Sequence, residues 1–215
     1  MSTYPDEGEA RTAMVRFAAS LFQRGYAVGT AGNISVRLED GYLITPTNSS
    51  LGFLDPARLS RLDAAFRPVA GDPPSKEVFM HRAFYETRPE AGAVVHLHST
   101  MATAVAALEG VDPLAPIPPI TPYFVMRIGR RLPLLPYFAP GDPAMGAAIA
   151  EAARGARAVL LANHGPVVSG KTLADAVAAA EELEEAAKLF LLLRGSAYRT
   201  LGVAEIAELE RRFGG

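Results

Sequence analysis

The chain has 215 residues and a formal net charge of −2 at pH 7, with 49% hydrophobic and 20% charged residues. This composition supports one well-buried core, predicts a single domain over residues 1–215 and excludes a disordered chain. Acidic and basic residues are interspersed, which excludes the basic surface that binds nucleic acid or an anionic membrane, so a small molecule is the expected partner.

The first residues and the lack of cysteine bear on location and chemistry. The opening stretch MSTYPDEGEARTAMVRF has acidic residues where a signal peptide needs a basic start and an apolar core. No apolar run approaches the ~20 residues of a membrane helix, so we expect a cytoplasmic protein without a membrane partner. Without cysteine there is no thiolate, and histidine, aspartate and glutamate remain as the strong metal ligands.

The first half of the chain alternates predicted helices and strands. Apolar residues at helical spacing in GEARTAMVRFAASLFQRG predict an opening helix that ends at Gly25. NISVRLEDGYLITP predicts a hairpin whose turn is at Asp40 and Gly41. DPARLSRLD predicts a short helix, and PSKEVFMHRAFYETRP predicts a longer one with Ser75 as its cap.

The second half continues this alternation. AGAVVHLHS predicts a strand, TMATAVAALEG a helix, and PPITPYFVMRIGRRLPLLPY a proline-punctuated loop and strand. DPAMGAAIAEAARG predicts a helix and ARAVLLANHG a second apolar strand that ends in a histidine. TLADAVAAAEELEEAAKLFLLLRG predicts the longest helix, and VAEIAELERRF a short last one. The pattern indicates an α/β or mixed α+β class.

Three of the four histidines suggest a metal site. His96 and His98 are two residues apart on a predicted strand, so their side chains share one face at chelating distance. His164 ends another predicted strand and precedes a glycine that lets the backbone turn close to a ligand. By itself the pair fits either a metal site or a buried structural pair, and an isolated His164 is usually structural. His81, four residues after Glu77 on a predicted helix, is expected to be structural.

Four ordered motifs carry a resemblance to a known family. GTAGNISVR, LITPT, PSKEVFMHRAFYETRPEAGAVVHLHS and LLANHG occur in this order, and the match runs from about Arg11 to Arg194. In this arrangement the chain resembles the class II aldolase/adducin family of zinc-dependent sugar-phosphate enzymes. The resemblance implies an α/β/α sandwich of three layers around a largely antiparallel sheet. It also implies a homotetramer with active sites at subunit interfaces.

The resemblance assigns roles to individual residues. It implies that His96, His98 and His164 hold the metal and that Glu77 is the catalytic acid/base. The metal is expected to be Zn²⁺, although a site of three histidines also accepts Mn²⁺ or Co²⁺. The residues implied to hold the substrate phosphate are Gly32, Asn33, Thr47 and Ser75.

The physical chemistry of the phosphate residues agrees with these roles. The hydroxyls of Thr47 and Ser75 can donate to phosphate oxygens, and a predicted helix N-terminus at Ser75 favours an anion. The competing interpretation is an ordinary helix cap for Ser75 and ordinary turn chemistry for Thr47. Two positions depart from the aldolases: Asn48 replaces a glycine, and Lys76 replaces a second phosphate-binding serine. Lys76 could strengthen binding of the phosphate or contact a substrate carboxylate.

Further segments indicate the reaction. TPTNSSLGFLDPARLSRLD, GDPPSKEVF and TPYFVMRIG most resemble the members that decarboxylate a phosphorylated 3-oxo sugar acid. The resemblance implies a metal-stabilised enediolate, to which a protonated Glu77 delivers a proton. Tyr123 in TPYFVM lies near a tyrosine that assists proton transfer in related aldolases. Two alternatives stay open, a sugar-phosphate aldolase similar to L-fuculose-phosphate aldolase and a non-catalytic binding module similar to the adducin head.

Overall fold

The helices of the computed structural model agree with most of the sequence predictions. The structure describes residues 4–139 and 141–213. Within these ranges the α-helices are α1 Glu7–Gln23, α2 Val78–Thr87, α3 Thr100–Ala106, α4 Pro122–Arg127, α5 Pro143–Ala153, α6 Leu173–Leu193 and α7 Val203–Phe213. The predicted opening, longest and last helices are therefore confirmed. No helix of the described ranges combines the length and apolar character needed to cross a membrane.

One mixed sheet runs through the molecule. Its strands are β1 Asn33–Leu38, β2 Gly41–Ile44, β3 Ser60–Asp63, β4 Pro68–Ala70, β5 Ala93–His96, β6 Leu134–Leu135, β7 Ala158–Leu161 and β8 Gly165–Gly170. Their order is β4-β3-β2-β1-β5-β8-β7-β6. Only the β6–β7 pair is parallel among the described strands, so the expected largely antiparallel sheet is confirmed.

Helices cover both faces of this sheet. Along β5, Ala93 and Val95 pack into a core with α1, α3, α4 and α6, while Val94 points to a second core with α2 and α5. This alternation is the period of two expected for a strand buried on both faces. The predicted three-layer α/β/α sandwich is therefore confirmed. The same alternation directs His96, two residues after Val94, towards the layer that contains α2.

Three local predictions were wrong. Residues 55–63 form a 3-10 turn at Pro56–Arg58 followed by β3, because the buried segment Ser60–Asp63 pairs with β2 instead of continuing a helix. Residues 122–127 form α4 instead of a loop, capped by the Thr121 hydroxyl, which accepts from the Phe124 N–H. The hairpin turn lies at residues 39–40, one residue earlier than predicted, and Gly41 already belongs to β2.

The Glu184 carboxylate on α6 caps the N-terminus of α3. It is 9% exposed and accepts hydrogen bonds from the backbone N–H groups of Met101 and Ala102, both at 2.8 Å. Ser99, at the usual cap position, makes no side-chain cap bond. Glu184 thus satisfies two helix N–H groups directly after the His-x-His motif.

We expect Glu184→Ala to lower the free energy of unfolding by about 2 kcal/mol, because two charge-assisted hydrogen bonds are lost in a buried place. Equilibrium unfolding in urea measures this loss. Glu185→Ala is the matched control, since Glu185 is exposed and forms a long 3.8 Å ion pair with Lys188. An equal loss in both variants would contradict the capping role.

Candidate metal and acid/base site

The three histidines meet at one end of neighbouring strands. His96 is the last residue of β5, His98 follows two residues later, and His164 lies in the turn between β7 and β8. β5 pairs with β8, and β7 pairs with β8, so the ends of these strands are side by side. His98 lies beyond the strand rather than on it, but its ring still turns to the same side as His96.

Two unusual backbone positions bring His164 into place. Asn163 has a φ of 59° and Gly165 a φ of 146°, both in a region that side chains rarely tolerate. A Cβ atom on Gly165 would lie 2.3 Å from the carbonyl oxygen of Leu97. Glycine is therefore required where β8 begins against the segment between His96 and His98. The close approach of this glycine is to that segment of the protein, and the predicted approach to a ligand stays a prediction.

The Nε2 atoms of the histidines converge. The Nε2 atom of His98 is 3.0 Å from that of His96 and 3.1 Å from that of His164. Both oxygens of Glu77 are nearby, Oε2 at 3.5 Å from His96 Nε2 and Oε1 at 3.4 Å from His164 Nε2. One ligand atom from each of the four residues lies within 4.8 Å of every other.

The environment keeps two of the imidazoles neutral. His96 is fully buried, and its Nδ1 donates to the carbonyl oxygen of Pro166 at 2.9 Å, so its Nε2 is unprotonated. Burial lowers the pKa of His96 to about 4; Glu77 opposes this shift, while the nearby His98 and His164 act in the same direction as burial. Burial and His164 also lower the pKa of His98. Neutral imidazole is the form that binds a metal.

This donor set fits a divalent cation. Tetrahedral ligands at the usual zinc–nitrogen distance are roughly 3.3 Å apart, close to the spacings of the Nε2 atoms here. Unprotonated ring nitrogens this close repel one another through their lone pairs unless a cation or a shared proton lies between them. His96, His98 and His164 could therefore hold zinc, manganese or cobalt, and the hydrogen bond from His96 to Pro166 orients the first ring.

Glu77 occupies the turn immediately before α2. Burial raises its pKa, but the hydrogen bond to His164, the nearby His96 ring and the hydrogen bond from Asn33 outweigh this and hold the pKa well below its usual range. Without a metal or substrate the carboxylate is therefore ionised at neutral pH, and a protonated Glu77 beside the metal stays a prediction. Its proton must be acquired when a substrate binds.

Gly32 and Asn33 support the site from β1. Gly32 has a φ of 84°, and a Cβ atom there would lie 2.9 Å from the carbonyl oxygen of His96. The Asn33 side chain donates from Nδ2 to Glu77 Oε2 at 2.7 Å, and its Oδ1 is 2.5 Å from His81 Nε2. The Asn33 amide, predicted to hold phosphate, is thus bonded at both ends to groups of the protein.

Thr47 and Ser75 lie on two loop segments that run side by side. Thr47 donates its N–H to Pro73, Ser75 donates its N–H to Thr45, and Pro46 bridges to Pro74. The Ser75 hydroxyl accepts from the Glu77 N–H at 3.2 Å, which leaves the hydroxyl hydrogen free to donate. The predicted helix cap at Ser75 is wrong, because α2 begins at Val78 and Glu77 occupies its cap position. Lys76 is exposed. Asn48 has a φ of 56°, a left-handed conformation that asparagine tolerates better than other non-glycine residues.

Tyr123 is not part of this cluster within the subunit. It lies on α4 with 59% of its surface exposed, and no hydrogen bond or ring contact joins it to the histidines or Glu77 in the described residues. A role in proton transfer therefore requires a site completed by another subunit. It stays a prediction.

Sequence reasoning missed a buried polar face of α2. Glu77, His81 and Tyr85 follow one another at intervals of four, and Asn33 and Ser35 face them from β1. Spacing by four on a helix and by two on a strand are the signals that could have predicted this contact. His81 does not bond to Glu77 directly, because Asn33 lies between them.

Comparison with known proteins agrees with this geometry. Residues 12–191 match the Class II Aldolase and Adducin N-terminal domain. The chain is 52% identical over 204 residues to 3-oxo-tetronate 4-phosphate decarboxylase from Escherichia coli K12, covering 94% of this chain and 96% of that protein. It is 35% identical over 170 residues to L-fuculose phosphate aldolase from Haemophilus influenzae, covering 79% and 76%.

A solved structure gives the same result. The crystal structure of Escherichia coli YgbL, described as an aldolase, epimerase or decarboxylase, superimposes with a TM-score of 0.92 at 50% identity, covering 94% of this chain and 98% of that one. The decarboxylases are thus more similar to this chain than the fuculose aldolase is, over more of its length. The resemblance inferred from the four motifs is confirmed, and the chain belongs to the class II aldolase and adducin family.

Proposed function

We propose that this chain is a metal-dependent decarboxylase that converts 3-oxo-tetronate 4-phosphate to dihydroxyacetone phosphate and carbon dioxide. Relatives with that activity in their names are about half identical over nearly the whole chain, and the chain is an enzyme of the carbon–carbon lyase class. The observation that carries the proposal is the placement of Glu77 beside three converging histidine nitrogens.

His96, His98 and His164 would hold the metal, with zinc proposed and manganese or cobalt possible. A divalent cation there supplies a Lewis acid that stabilises the electron pair left when carbon dioxide departs. The buried His96 and its bond to Pro166 fix the direction of one ligand. A non-catalytic module has no need of an ionised carboxylate directed at these three rings.

Glu77 is proposed to protonate the substrate carbon that loses carbon dioxide. The new C–H bond takes its proton from the carboxyl group, and the product is dihydroxyacetone phosphate. The carboxylate is ionised in the free site, but a nearby negative charge raises the pKa of a carboxyl group. The anionic substrate therefore helps Glu77 to take up the proton that it later delivers.

The substrate phosphate is proposed to bind to Gly32, Thr47 and Ser75. The Thr47 and Ser75 hydroxyls offer neutral donors, and the exposed Lys76 ammonium offers a charged one. We also propose a homotetramer in which Tyr123 of one subunit contacts another. Exposed apolar side chains on α4, α6 and α7 support such contacts, namely Tyr123, Leu192, Val203 and Phe213.

A substrate comparison on the purified, zinc-loaded protein tests the function. We expect carbon dioxide and dihydroxyacetone phosphate to be released in equal amounts from 3-oxo-tetronate 4-phosphate, and far more slowly from the unphosphorylated 3-oxo-tetronate. Cleavage of L-fuculose 1-phosphate without release of carbon dioxide from the first substrate would favour the aldolase instead. The molar mass of the active species, measured by light scattering on the same sample, tests the tetramer.

A further inference from the structure

A chain of hydrogen bonds leads from the second core to Glu77. The Tyr85 hydroxyl is 2.8 Å from Ser35 Oγ, and Ser35 Oγ is 2.7 Å from His81 Nδ1. His81 Nε2 is 2.5 Å from Asn33 Oδ1, and Asn33 Nδ2 is 2.7 Å from Glu77 Oε2. Every member before Glu77 is at most 5% exposed. These hydrogen bonds are therefore shielded from water from Tyr85 as far as Asn33.

Chemistry permits only one direction of donation along this chain. The Asn33 amide nitrogen can only donate, so its 2.7 Å contact makes Glu77 Oε2 the acceptor and leaves Asn33 Oδ1 facing His81. Oδ1 can only accept, so His81 Nε2 carries the proton. A neutral His81 then has an accepting Nδ1, which receives the Ser35 hydroxyl hydrogen, and Ser35 in turn accepts from Tyr85. Each N–H or O–H along the chain is directed towards the carboxylate.

Burial supports the neutral form of His81 that this direction needs. His81 is 0% exposed, and burial lowers its pKa to about 3; the nearby His96 ring acts in the same direction and Glu77 in the opposite one. A buried imidazole with no partner would be costly, and both of its nitrogens are satisfied here. If His81 only had to fill space in this core, an apolar side chain would serve equally well. The fully satisfied polar chain ending on Glu77 indicates a task at the site.

We propose that His81 is a positioning residue, which holds the Asn33 amide so that it donates to Oε2 of Glu77 and leaves Oε1 to carry the transferable proton. This inference rests on the proposed function in one respect, namely that Glu77 transfers a proton to the substrate. The hydrogen-bond directions do not depend on which substrate is used. Oε1 is the oxygen on the side of His164, and Oε2 the oxygen on the side of His96.

Nitrogen NMR of the zinc-loaded protein tests the direction without any substrate. We expect the His81 ring to show a protonated Nε2 and an unprotonated Nδ1 at neutral pH, with its resonances identified by their loss in His81→Gln. A proton on Nδ1, or protons on both nitrogens, would overturn the proposal. If the wild type shows the expected pattern but releases no carbon dioxide, the proposed function fails while the bond directions stand.

Two closely matched variants test the effect on turnover. The Gln side chain of His81→Gln places its amide near the position of Nε2 and can still donate to Asn33, whereas the shorter Asn side chain of His81→Asn reaches only the position of Nδ1. We expect kcat to fall about tenfold to a hundredfold in His81→Asn, with KM and zinc content changed less than about twofold, and to recover largely in His81→Gln. Equal kcat in both variants would overturn the role.

A control separates positioning from simple loss of stability. Met80 is 1% exposed in the same helix and belongs to the second core, outside the hydrogen-bond chain. We expect Met80→Ala to lower the melting temperature through a cavity while kcat stays within about twofold of the wild type. If Met80→Ala lowers kcat as much as His81→Asn does, the effect is one of stability and the proposal is wrong.

Discussion

Replacing His98 by alanine is expected to abolish both metal binding and turnover. His98 Nε2 lies within 3.1 Å of the Nε2 atoms of His96 and His164, so its loss leaves two of the three converging nitrogens. Loss of an outer-shell partner already costs about tenfold to a hundredfold in affinity, so we expect at least about a hundredfold weaker zinc binding. Zinc titration and the rate of carbon dioxide release measure the two effects.

The loss of metal binding in His98→Ala can also be measured without an activity assay. Zinc that binds only the folded protein raises the melting temperature of the wild type, and we expect no such rise in His98→Ala. Thr100→Ala is the control, because Thr100 is exposed two residues further along and should keep both zinc and the temperature rise. Retention of one zinc ion per chain in His98→Ala would exclude this site.

Replacing Glu77 by glutamine is expected to keep the metal and remove the reaction. Glutamine has nearly the same shape, and the three histidines are unchanged, but its amide cannot hand a proton to carbon. General acid catalysis contributes about 10²–10⁴ in rate, so we expect kcat to fall by about a thousandfold. Steady-state kinetics and zinc content on the same preparation check this result.

The control for Glu77→Gln lies on the same helix. Glu86 is about half exposed on α2 and pairs with Arg82, so Glu86→Gln should keep full turnover. If Glu77→Gln retains more than about a tenth of the wild-type kcat, another group delivers the proton. If Glu77→Gln loses zinc as well, Glu77 is itself a metal ligand and the three histidines alone do not retain the ion.

The sequence predicted much of the fold because its signals are local. The helical spacing of Met14, Ala18 and Leu21 and the long apolar repeat of α6 survive in the structure, since amphipathic periodicity over many residues outweighs single deviations. The strands at residues 93–96 and 158–161 were recognisable as compact apolar runs. The family could also be inferred, because four short motifs occur in a fixed order.

Shorter segments could not be assigned from the chain alone. Residues 60–63 look helical in isolation, but pairing with β2 makes them a strand, because the hydrogen bonds of a strand come from residues elsewhere in the sequence. β8 was not predicted for the same reason, since its hydrogen bonds are made to β5 and β7 on either side. Conversely, the Thr121 cap and Pro122 start α4 within a stretch of scattered prolines.

By itself the sequence determined the residue types of the site and the pairing of His96 with His98, because both follow from composition and from neighbours two residues apart. Only the tertiary structure decided that His164 closes on them, that Glu77 is ionised, and that Asn33 and His81 lie behind it. These relations join residues far apart in the sequence: His98 and His164 are 66 positions apart, and Asn33 and Glu77 are 44 apart. They arise from the order of strands in the sheet and from burial, which set distances and pKa values that no local pattern contains.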